Sequence, residues 1–412
     1  MESAGVLRHF AFFEALAAAD ESDPNWKTIS AGLVVMRLVD QWIEDGKAST
    51  RLTAWTVNAV RDAIDDIPQT TPLRRSLTGI VDGVVSLTDV DMHALSPRLM
   101  AYGQALEYES KWALAIDVYR TIVEHAHPVD AADIAVSAHI QLAFCLRTVG
   151  DLEGSAAAYE RAAIVANASG NIVGVLRARL GDALLAVLRG NIPSAEAILD
   201  ETISRSTTEN LTHVRSQALH ERAHVAGLRG QYESAVRYAY EALEIASSPR
   251  DRDRILNDIA TAFTYLGLLD VASDAYLVLS ATAQEQYLRW FAELNLLEIA
   301  ARQNNELAFD RYRRGLEDVD FTPQLRVLYL IHVGRGYTAL SRPDDAVPCL
   351  EQAVEAAGRL GFNQLLFEAD DALAQAKLRR LERPQPVTSI SDDVSHVAGA
   401  IKKMREVVTQ SR

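Results

Sequence analysis

The 412-residue sequence carries a formal charge of −15, with 49% hydrophobic and 24% charged residues, a composition typical of soluble globular proteins. Its acidic balance argues against general nucleic-acid binding, which needs a basic face. We expect a cytoplasmic protein, because the N-terminus lacks the basic start of a signal peptide, no apolar run is long enough to span a membrane, and both cysteines, Cys145 and Cys349, fall in helical apolar patterns.

Residues 1–95 are predicted to form helices that do not follow the later repeat. Asp23-Pro24 and Thr71-Pro72 each place a capping residue before a proline, which favours a helix start. The segment holds eight Lys and Arg against fourteen Asp and Glu. This balance disfavours a DNA-binding helix-turn-helix. We interpret residues 1–95 as an N-terminal helical bundle that caps the apolar end of a repeat array.

Residues 96–382 contain seven copies of a repeat, and Ser96-Pro97 is expected to begin its first helix. The clearest copy is Gly230-Gln231-Tyr232, which joins two apolar helical patterns and is followed by the small residue Ala235. The corresponding small residues are Ala115, Ser155, Ala195, Ala235, Ala272, Ala308 and Ala346. Successive spacings of 40, 40, 40, 37, 36 and 38 indicate a helical solenoid.

Each copy predicts an antiparallel helix pair with two recurring positions. A small residue seven before the turn lets the helices approach closely, as at Ala143, Ala183, Ala223, Ala260 and Gly334. A bulky residue four after the marker fills the space between repeats, as at Tyr119, Tyr159, Leu199, Tyr276, Tyr312 and Leu350. Two copies depart from this pattern, with Leu296 at the small position of the sixth and Ala239 at the bulky position of the fourth.

These positions resemble the tetratricopeptide repeat (TPR) family, over about residues 97–382. Repeats near 40 residues rather than 34 also make the layout similar to that of bacterial regulatory proteins, including the quorum-sensing peptide receptors of Gram-positive bacteria. The resemblance implies an all-α, right-handed superhelical solenoid of antiparallel helix pairs. It also implies a concave groove, lined by the first helix of each pair, that binds a peptide or a partner's helix.

On this register, thirteen residues are predicted to line the groove. They are Gln104, Tyr108, Phe144, Arg147, Arg177, Gln217, His220, His224, Arg254, Asn257, Trp290, Glu293 and Arg335. Four arginines and an exposed tryptophan would suit a partner with carboxylates and apolar side chains. The alternative is an ordinary solvated face with surface arginines.

One catalytic motif has to be weighed, since His220-Glu221-Arg222-Ala223-His224 has the HExxH spacing of zinc hydrolases. The position of the third histidine in the long form of that motif is Gly230, so Glu241 or Glu244 would have to supply the third ligand. Ala223 and Gly230 already have roles in the repeat. We therefore expect no metal, no cofactor and no catalytic residue, with His220 and His224 as the only weak metal candidates.

Residues 383–412 are predicted to form a linker, Pro384-Gln385-Pro386 onward, and an amphipathic helix. Its apolar stripe is Val394, Val397, Ile401, Met404 and Val408. So short a helix must dock to be stable. The expected site is the last repeat, as a cap, with self-association or partner binding as alternatives.

Together these features predict a non-enzymatic scaffold that binds a protein or peptide segment, with no nucleic-acid or membrane partner. The alternative is a ligand- or peptide-responsive regulator that switches a second partner. A zinc-dependent hydrolase is the third hypothesis, and it depends on residues 220–224 alone.

Overall fold

The computed structural model describes residues 8–20, 23–45, 54–69, 71–87, 90–126, 132–319, 321–378 and 390–410. Within these ranges the regular elements are twenty α-helices, so the all-α prediction is confirmed. The predicted linker at 384–389 lies outside the described residues. The chain divides into two compact units, Met1–Thr202 and Ile203–Arg412. Of the helices described, none combines the length and apolarity needed to cross a membrane.

In the first unit, four helices precede the repeats: α1 (Phe10–Ala18), α2 (Pro24–Asp45), α3 (Ala54–Asp65) and α4 (Pro72–Ser86). The first repeats then consist of α5 (Met92–Tyr108), α6 (Trp112–His125), α7 (Ala132–Thr148), α8 (Leu152–Ser169) and α9 (Ile172–Leu188). Helix α10 (Ile192–Thr208) crosses the boundary between the units. The second unit contains α11 (Thr212–Leu228), α12 (Tyr232–Ile245), α13 (Pro249–Tyr265), α14 (Leu269–Thr282), α15 (Gln286–Arg302), α16 (Glu306–Glu317), α17 (Pro323–Ala339), α18 (Pro343–Leu360), α19 (Asn363–Leu378) and α20 (Asp392–Gln410).

The seven predicted pairs run from α5/α6 to α17/α18, so the first helices are the odd-numbered members and the second helices the even-numbered ones. Helices that follow one another pack together, for example α7 on α8 and α11 on α12. Helix α19 packs on α17 and α18 beyond the seventh pair. This arrangement of consecutive antiparallel pairs is that of a TPR-like solenoid.

One turn geometry joins most of these helices. A residue one or two positions after the helix end adopts a left-handed conformation at Ser110, Gly150, Gly170, Gly190, Asn210, Gly230, Gly267, Asn304, Ser341 and Gly361. The next N–H then donates to the carbonyl five residues back, as Gln231 does to Ala226 at 2.9 Å. This is the Schellman motif, which satisfies the last carbonyls of a helix. From Gly150 to Gly230 these turns recur every 20 residues, so the basic unit there is one helix plus one turn.

The predicted register of the sixth pair is wrong by one residue. The left-handed residue is Asn304, while Asn305 caps α16 by accepting a hydrogen bond from the Ala308 N–H at 3.1 Å. The marker is therefore Phe309, which is fully buried, and not the half-buried Ala308. The error arises because Gln303, Asn304 and Asn305 are all polar, and only the structure distinguishes turn from cap.

The same shift corrects two other positions of the sixth pair. Its bulky position is Arg313 instead of Tyr312, and its small position is Leu297 instead of Leu296. Measured from Ala272 through Phe309 to Ala346, the last spacings become 37 and 37.

The small and bulky positions pack as predicted in most pairs. Tyr119, Tyr159, Leu199, Tyr276 and Leu350 are all at most 3% exposed. A Cβ atom at Gly334 would overlap Leu350, and one at Gly103 would overlap Tyr119. Close approach of the helices therefore requires the missing side chain at these two positions.

The N-terminal helices cover the first pair, because α4 packs on α5 and α1 packs on α6. His9, before α1, is buried and places Nδ1 2.5 Å from Asp117 of α6 and Nε2 3.1 Å from Asp40 of α2. Burial alone would lower the pKa of His9, but the hydrogen bonds to Asp117 and Asp40 outweigh it and raise the pKa to about 9. A charged imidazole thus joins three helices at neutral pH.

The expected start of the first repeat at Ser96-Pro97 is wrong. Helix α5 begins at Met92, and Asp91 caps it by accepting a hydrogen bond from the Ala94 N–H at 3.1 Å. Ser96 is buried and Pro97 lies within the helix. The Ser-Pro dipeptide resembles a helix start, but Asp91 provides the actual cap one turn earlier.

The C-terminal helix does not cap the last pair as expected. Helix α20 packs on α12 and α14, the second helices of the fourth and fifth pairs. Val394, Val397 and Ile401 are buried there, and Met404 and Val408 pack against the same core, so the predicted apolar stripe is confirmed. Arg405 forms an ion pair with Asp274, and His396 lies edge-on to Tyr240 at 5.7 Å.

The turns generate a prediction in which one substitution type has opposite effects at two sites. Gly230→Ala should lower the free energy of unfolding by about 1 kcal/mol, because a Cβ atom disfavours the left-handed conformation. Gly315→Ala, inside α16 with open space around it, should raise it by up to about 1 kcal/mol. Ser341→Gly should also stabilise, since Ser341 is left-handed. Urea unfolding followed by circular dichroism measures all three, and equal signs for the two alanine variants would contradict the turn assignment.

Candidate functional site

All thirteen predicted groove residues lie on first helices and none is buried. In the first unit they belong to α5, α7 and α9, and in the second unit to α11, α13, α15 and α17. Gln104 and Tyr108 are exposed on α5, with Tyr108 76% exposed. Their binding role stays a prediction.

Arg147 and Arg177 lie on the neighbouring first helices α7 and α9. Both are electrostatically coupled to the Tyr159 hydroxyl of α8: burial raises the pKa of Tyr159, and the two guanidinium groups oppose that rise. Burial likewise lowers the pKa of Arg177. Both guanidinium groups therefore act on the same phenol, and both arginine side chains are half-buried.

An aromatic support holds Arg147 in place. Its guanidinium carbon lies 5.4 Å from the centre of the Phe144 ring, and Phe144 packs edge-on against Trp112 of α6 at 5.8 Å. The Nε atom of Arg147 is buried and has no hydrogen-bond partner among the described residues. Within that part of the chain, neither Arg147 nor Arg177 forms an ion pair with a carboxylate. Both positive charges are thus left uncompensated.

The arginines of the second unit are different, because acidic residues of the next first helix or the loop before it neutralise them. Arg254 lies 3.8 Å from Glu285, which also pairs with Arg250. Arg335 of α17 lies 3.9 Å from Glu368 of α19. Arg254 and Arg335 therefore lie on first helices as expected, but their charges are already paired, and the sequence pattern did not reveal these partners.

The sequence pattern predicts an exposed tryptophan in the groove, but Trp290 is half-buried. Its ring packs edge-on against Phe321 at 5.3 Å, within the core that contains α17. Glu293, on the same helix, is half-buried and burial raises its pKa. Most of the indole surface is therefore used within the protein.

The two histidines of the HExxH motif have different surroundings. His220 places Nε2 2.7 Å from the Asp258 carboxylate of α13, while His224 is exposed. Burial alone would lower the pKa of His220, but the Asp258 hydrogen bond outweighs it and raises the pKa. Among the described residues, no group of three His, Cys, Asp or Glu side chains is placed to hold a metal ion. His220 thus joins two first helices.

A cleft opens between α11, α12 and α13, where the fourth pair has Ala239 at its bulky position. This Ala239 cleft has a volume of about 230 Å³. Four alanine methyl groups form its inner wall, and Leu228, Tyr232 and Tyr265 lie at its mouth with the polar His224, Asp258 and Thr261. The complete lining is Ala223, His224, Gly227, Leu228, Tyr232, Ala235, Ala239, Asp258, Thr261, Ala262 and Tyr265.

The mouth of the Ala239 cleft carries exposed apolar surface. Tyr232 and Tyr265 stack with ring centres 4.8 Å apart, and Tyr265 and Leu228 are 61% and 55% exposed. Sequence reasoning predicted His224 as a groove residue and noted Ala239 as a departure, but it predicted no cleft and missed Asp258, Leu228 and Tyr265. The sequence feature that could have predicted the cleft is Ala239, a small residue at a position where other pairs have tyrosine or leucine.

Gln217 and Asn257 complete the predicted set and are both half-buried. The Asn257 amide donates to Asp258 at 3.4 Å, while its carbonyl oxygen is buried and finds no hydrogen-bond partner among the described residues. A buried acceptor of this kind is costly unless something donates to it. Asn257 therefore offers an acceptor one residue from the rim of the cleft.

No family model and no curated protein matches the chain. Solved structures do resemble it. The apo form of the quorum sensor NprR from B. thuringiensis is 12% identical with a TM-score of 0.48, covering 78% of this chain and 98% of that chain. The Rap conjugation gene regulator of the plasmid pLS20, in complex with the Phr* peptide, is 13% identical with a TM-score of 0.48, covering 86% and 99%. The P58(IPK) TPR domain is 12% identical with a TM-score of 0.25, covering 92% and 99%.

Because these scores lie below 0.5, the TPR-like assignment rests on the repeat, the turns and the helix packing of the chain itself. Those three features are independent of any relative. They define a scaffold, and the side chains described above decide what it can bind.

The pair of His220 and Asp258 generates a prediction about pKa. Asp258→Asn should lower the pKa of His220, because burial remains while the carboxylate that opposed it is gone. Histidine-labelled nuclear magnetic resonance spectra, titrated from pH 5 to 9, measure this shift, and His224→Ala assigns the signals.

The same pair should contribute to stability in a defined pH range. Since the folded pKa is raised, the contribution is fully present below the ordinary histidine pKa of about 6.5 and is lost as pH rises through the folded value. Asp258→Asn should therefore destabilise more at pH 6 than at pH 9. An unchanged His220 pKa in the variant would contradict the pairing.

Proposed function

We propose that this chain is a non-enzymatic scaffold that binds a carboxylate-bearing segment of a protein or peptide on its first helices. The observation that carries the proposal is the pair Arg147 and Arg177, half-buried and without a carboxylate partner in the described chain. A partly desolvated positive charge is costly unless it is paired. A ligand carboxylate would supply that partner.

The geometry suits carboxylate recognition in particular. Guanidinium groups donate two parallel hydrogen bonds to a carboxylate, and such charge-assisted bonds are stronger than neutral ones. Phe144 and Tyr159 restrict Arg147 before the ligand arrives, which reduces the entropy lost on binding. The other predicted groove residues of the first unit, Gln104, Tyr108 and Phe144, belong to this proposal as flanking contacts. In the second unit, Gln217, His220, His224, Asn257, Trp290 and Glu293 are proposed as contacts, and Arg254 and Arg335, which already have carboxylate partners, are not.

The test starts from a displayed library of random dodecapeptides selected on the wild-type protein. The double variant Arg147→Ala/Arg177→Ala should bind the selected peptides at least about tenfold more weakly, since each lost charge-assisted bond costs more than a neutral one. The matched control is Arg254→Ala/Arg335→Ala, which removes two arginines that already have carboxylate partners and should bind within about twofold of wild type.

Synthetic peptides then identify the carboxylate. Amidating the C-terminus, or replacing each acidic residue with its amide, separates a terminal carboxylate from a side-chain one. Equal losses in the double variant and its control, or no loss in either, would contradict the proposal.

A second candidate function is a regulator in which binding alters another surface, and the docking of α20 favours it. Helix α20 packs on α12, and α12 also supplies Tyr232, Ala235 and Ala239 to the cleft. A ligand that moves α12 would therefore act on the same helix that holds α20. Elements that move in switching are drawn from the least stable parts of a fold, and a helix of this length is not stable alone.

Hydrogen exchange distinguishes the regulator from a plain scaffold. With a selected peptide bound, exchange within residues 392–410 should change at least about tenfold in a regulator, because the docking equilibrium of α20 shifts. Val397→Asp, which removes a buried contact of α20, should mimic the undocked state. If exchange is the same with and without the peptide, the regulator hypothesis is rejected and the scaffold hypothesis stands.

A further inference from the structure

The structure assigns a second binding element to this protein: the Ala239 cleft is a subsite for one bulky apolar side chain, of leucine to phenylalanine size, on a bound protein segment. The inference deepens the proposed function and rests on it. It depends on different residues from the arginine pair, so the two can fail separately.

The repeat itself shows what this space accepts. At the corresponding position, the other second helices of regular register have Tyr119, Tyr159, Leu199, Tyr276 or Leu350, each at most 3% exposed. In the fifth pair the Tyr276 hydroxyl reaches Thr261 of α13 at 3.0 Å. The fourth pair has a single methyl group, and an open cleft lies beside it. An aromatic or aliphatic side chain from outside can therefore take the place that the chain fills in its other pairs.

The size and lining of the cleft agree with such a guest. Its volume of about 230 Å³ exceeds that of the engineered cavities of about 150 Å³ that bind benzene. The inner wall consists of Ala223, Ala235, Ala239 and Ala262, and a Cβ atom added at Gly227 would meet open space. A close-packed interior disfavours an unfilled apolar void, so a guest side chain gains both burial and contacts.

The charge of the surrounding helices favours neither a positively nor a negatively charged guest. From residue 212 to 265 there are seven arginines and seven Asp or Glu residues, which gives a formal balance of zero. Asp258, at the rim, is already hydrogen-bonded to His220. The exposed faces of Leu228 and Tyr265 at the mouth extend the apolar surface outward, as expected around an anchor side chain. Apolar burial is therefore what this site can offer.

The occupant must come from outside the described helices that surround the cleft. Helix α20 of this chain docks elsewhere on α12 and α14, where its own apolar residues are already buried. The occupant of the cleft is therefore a side chain of a bound segment. The test below distinguishes it from a side chain of a second copy of this chain.

The test fills the cleft with the residues that the repeat uses elsewhere. Ala239→Tyr copies the fifth pair and Ala239→Leu copies the seventh, while Arg237→Tyr adds the same ring to an exposed position of α12 as the matched control. The probes are synthetic peptides taken from the dodecapeptide selection on wild type. Both filling variants should bind them at least about tenfold more weakly, and the control should bind within about twofold.

A double-mutant cycle locates the contact. Replacing the bulky apolar residue of the peptide with alanine should weaken binding to wild type about tenfold and binding to Ala239→Tyr no further. Melting temperatures at or above that of wild type show that the filled variants are folded. If Ala239→Tyr unfolds, Ala239→Leu is the variant that decides.

Each outcome bears on one proposal or the other. Peptides that bind the filled variants as tightly as wild type overturn the subsite, even if Arg147→Ala/Arg177→Ala abolishes binding. Loss in the filled variants alone supports the subsite and overturns the arginine site. A selection that yields no peptide overturns both. A dimer of wild type that dissociates in Ala239→Tyr would assign the cleft to a second copy and overturn the peptide subsite.

Discussion

The packing of the two helices within a pair depends on one contact, in which a bulky side chain of the second helix lies against a small residue of the first helix. Tyr119 lies against Gly103, and Leu350 against Gly334, so closely that a Cβ atom on either glycine would overlap the partner. Because the interior is close-packed, changing one member without the other leaves a void or a clash. This contact therefore sets how closely the two helices of a pair approach each other.

The fourth pair breaks this rule at Ala239, and the consequences extend beyond the cleft. Helix α20 lies across α12, which carries Ala239, and across α14, the second helix of the next pair. There it buries Val394, Val397 and Ile401, so α12 gains apolar burial from another surface. The place where packing is incomplete is thus also the place where an extra helix adds support.

The sequence was sufficient for the pairs because turns and packing positions recur with a fixed spacing, which random similarity does not produce. It failed where two residues could do the same job: Asn304 and Asn305 are both suited to turn or cap, and Ser96-Pro97 imitates a helix start that Asp91 actually provides. For the candidate site, the sequence predicted which helix each residue lies on, but not which partners it contacts. Partners such as Glu285 of Arg254 lie about thirty residues away, and the apolar stripe of α20 could not reveal which surface it covers.

A repeated scaffold presents much the same surface at each pair, so selective recognition has to come from positions where the pairs differ. Two such differences stand out, and they are of opposite kinds. Arg147 and Arg177 keep charges that Arg254 and Arg335 have neutralised, while Ala239 leaves open a space that Tyr276 closes in the next pair. Neither difference is needed for the helices to pack. The unpaired charges and the unfilled space each carry a cost in free energy, which a bound segment can remove. Residues that keep the repeat regular account for the fold, and these irregular ones carry the binding that we propose.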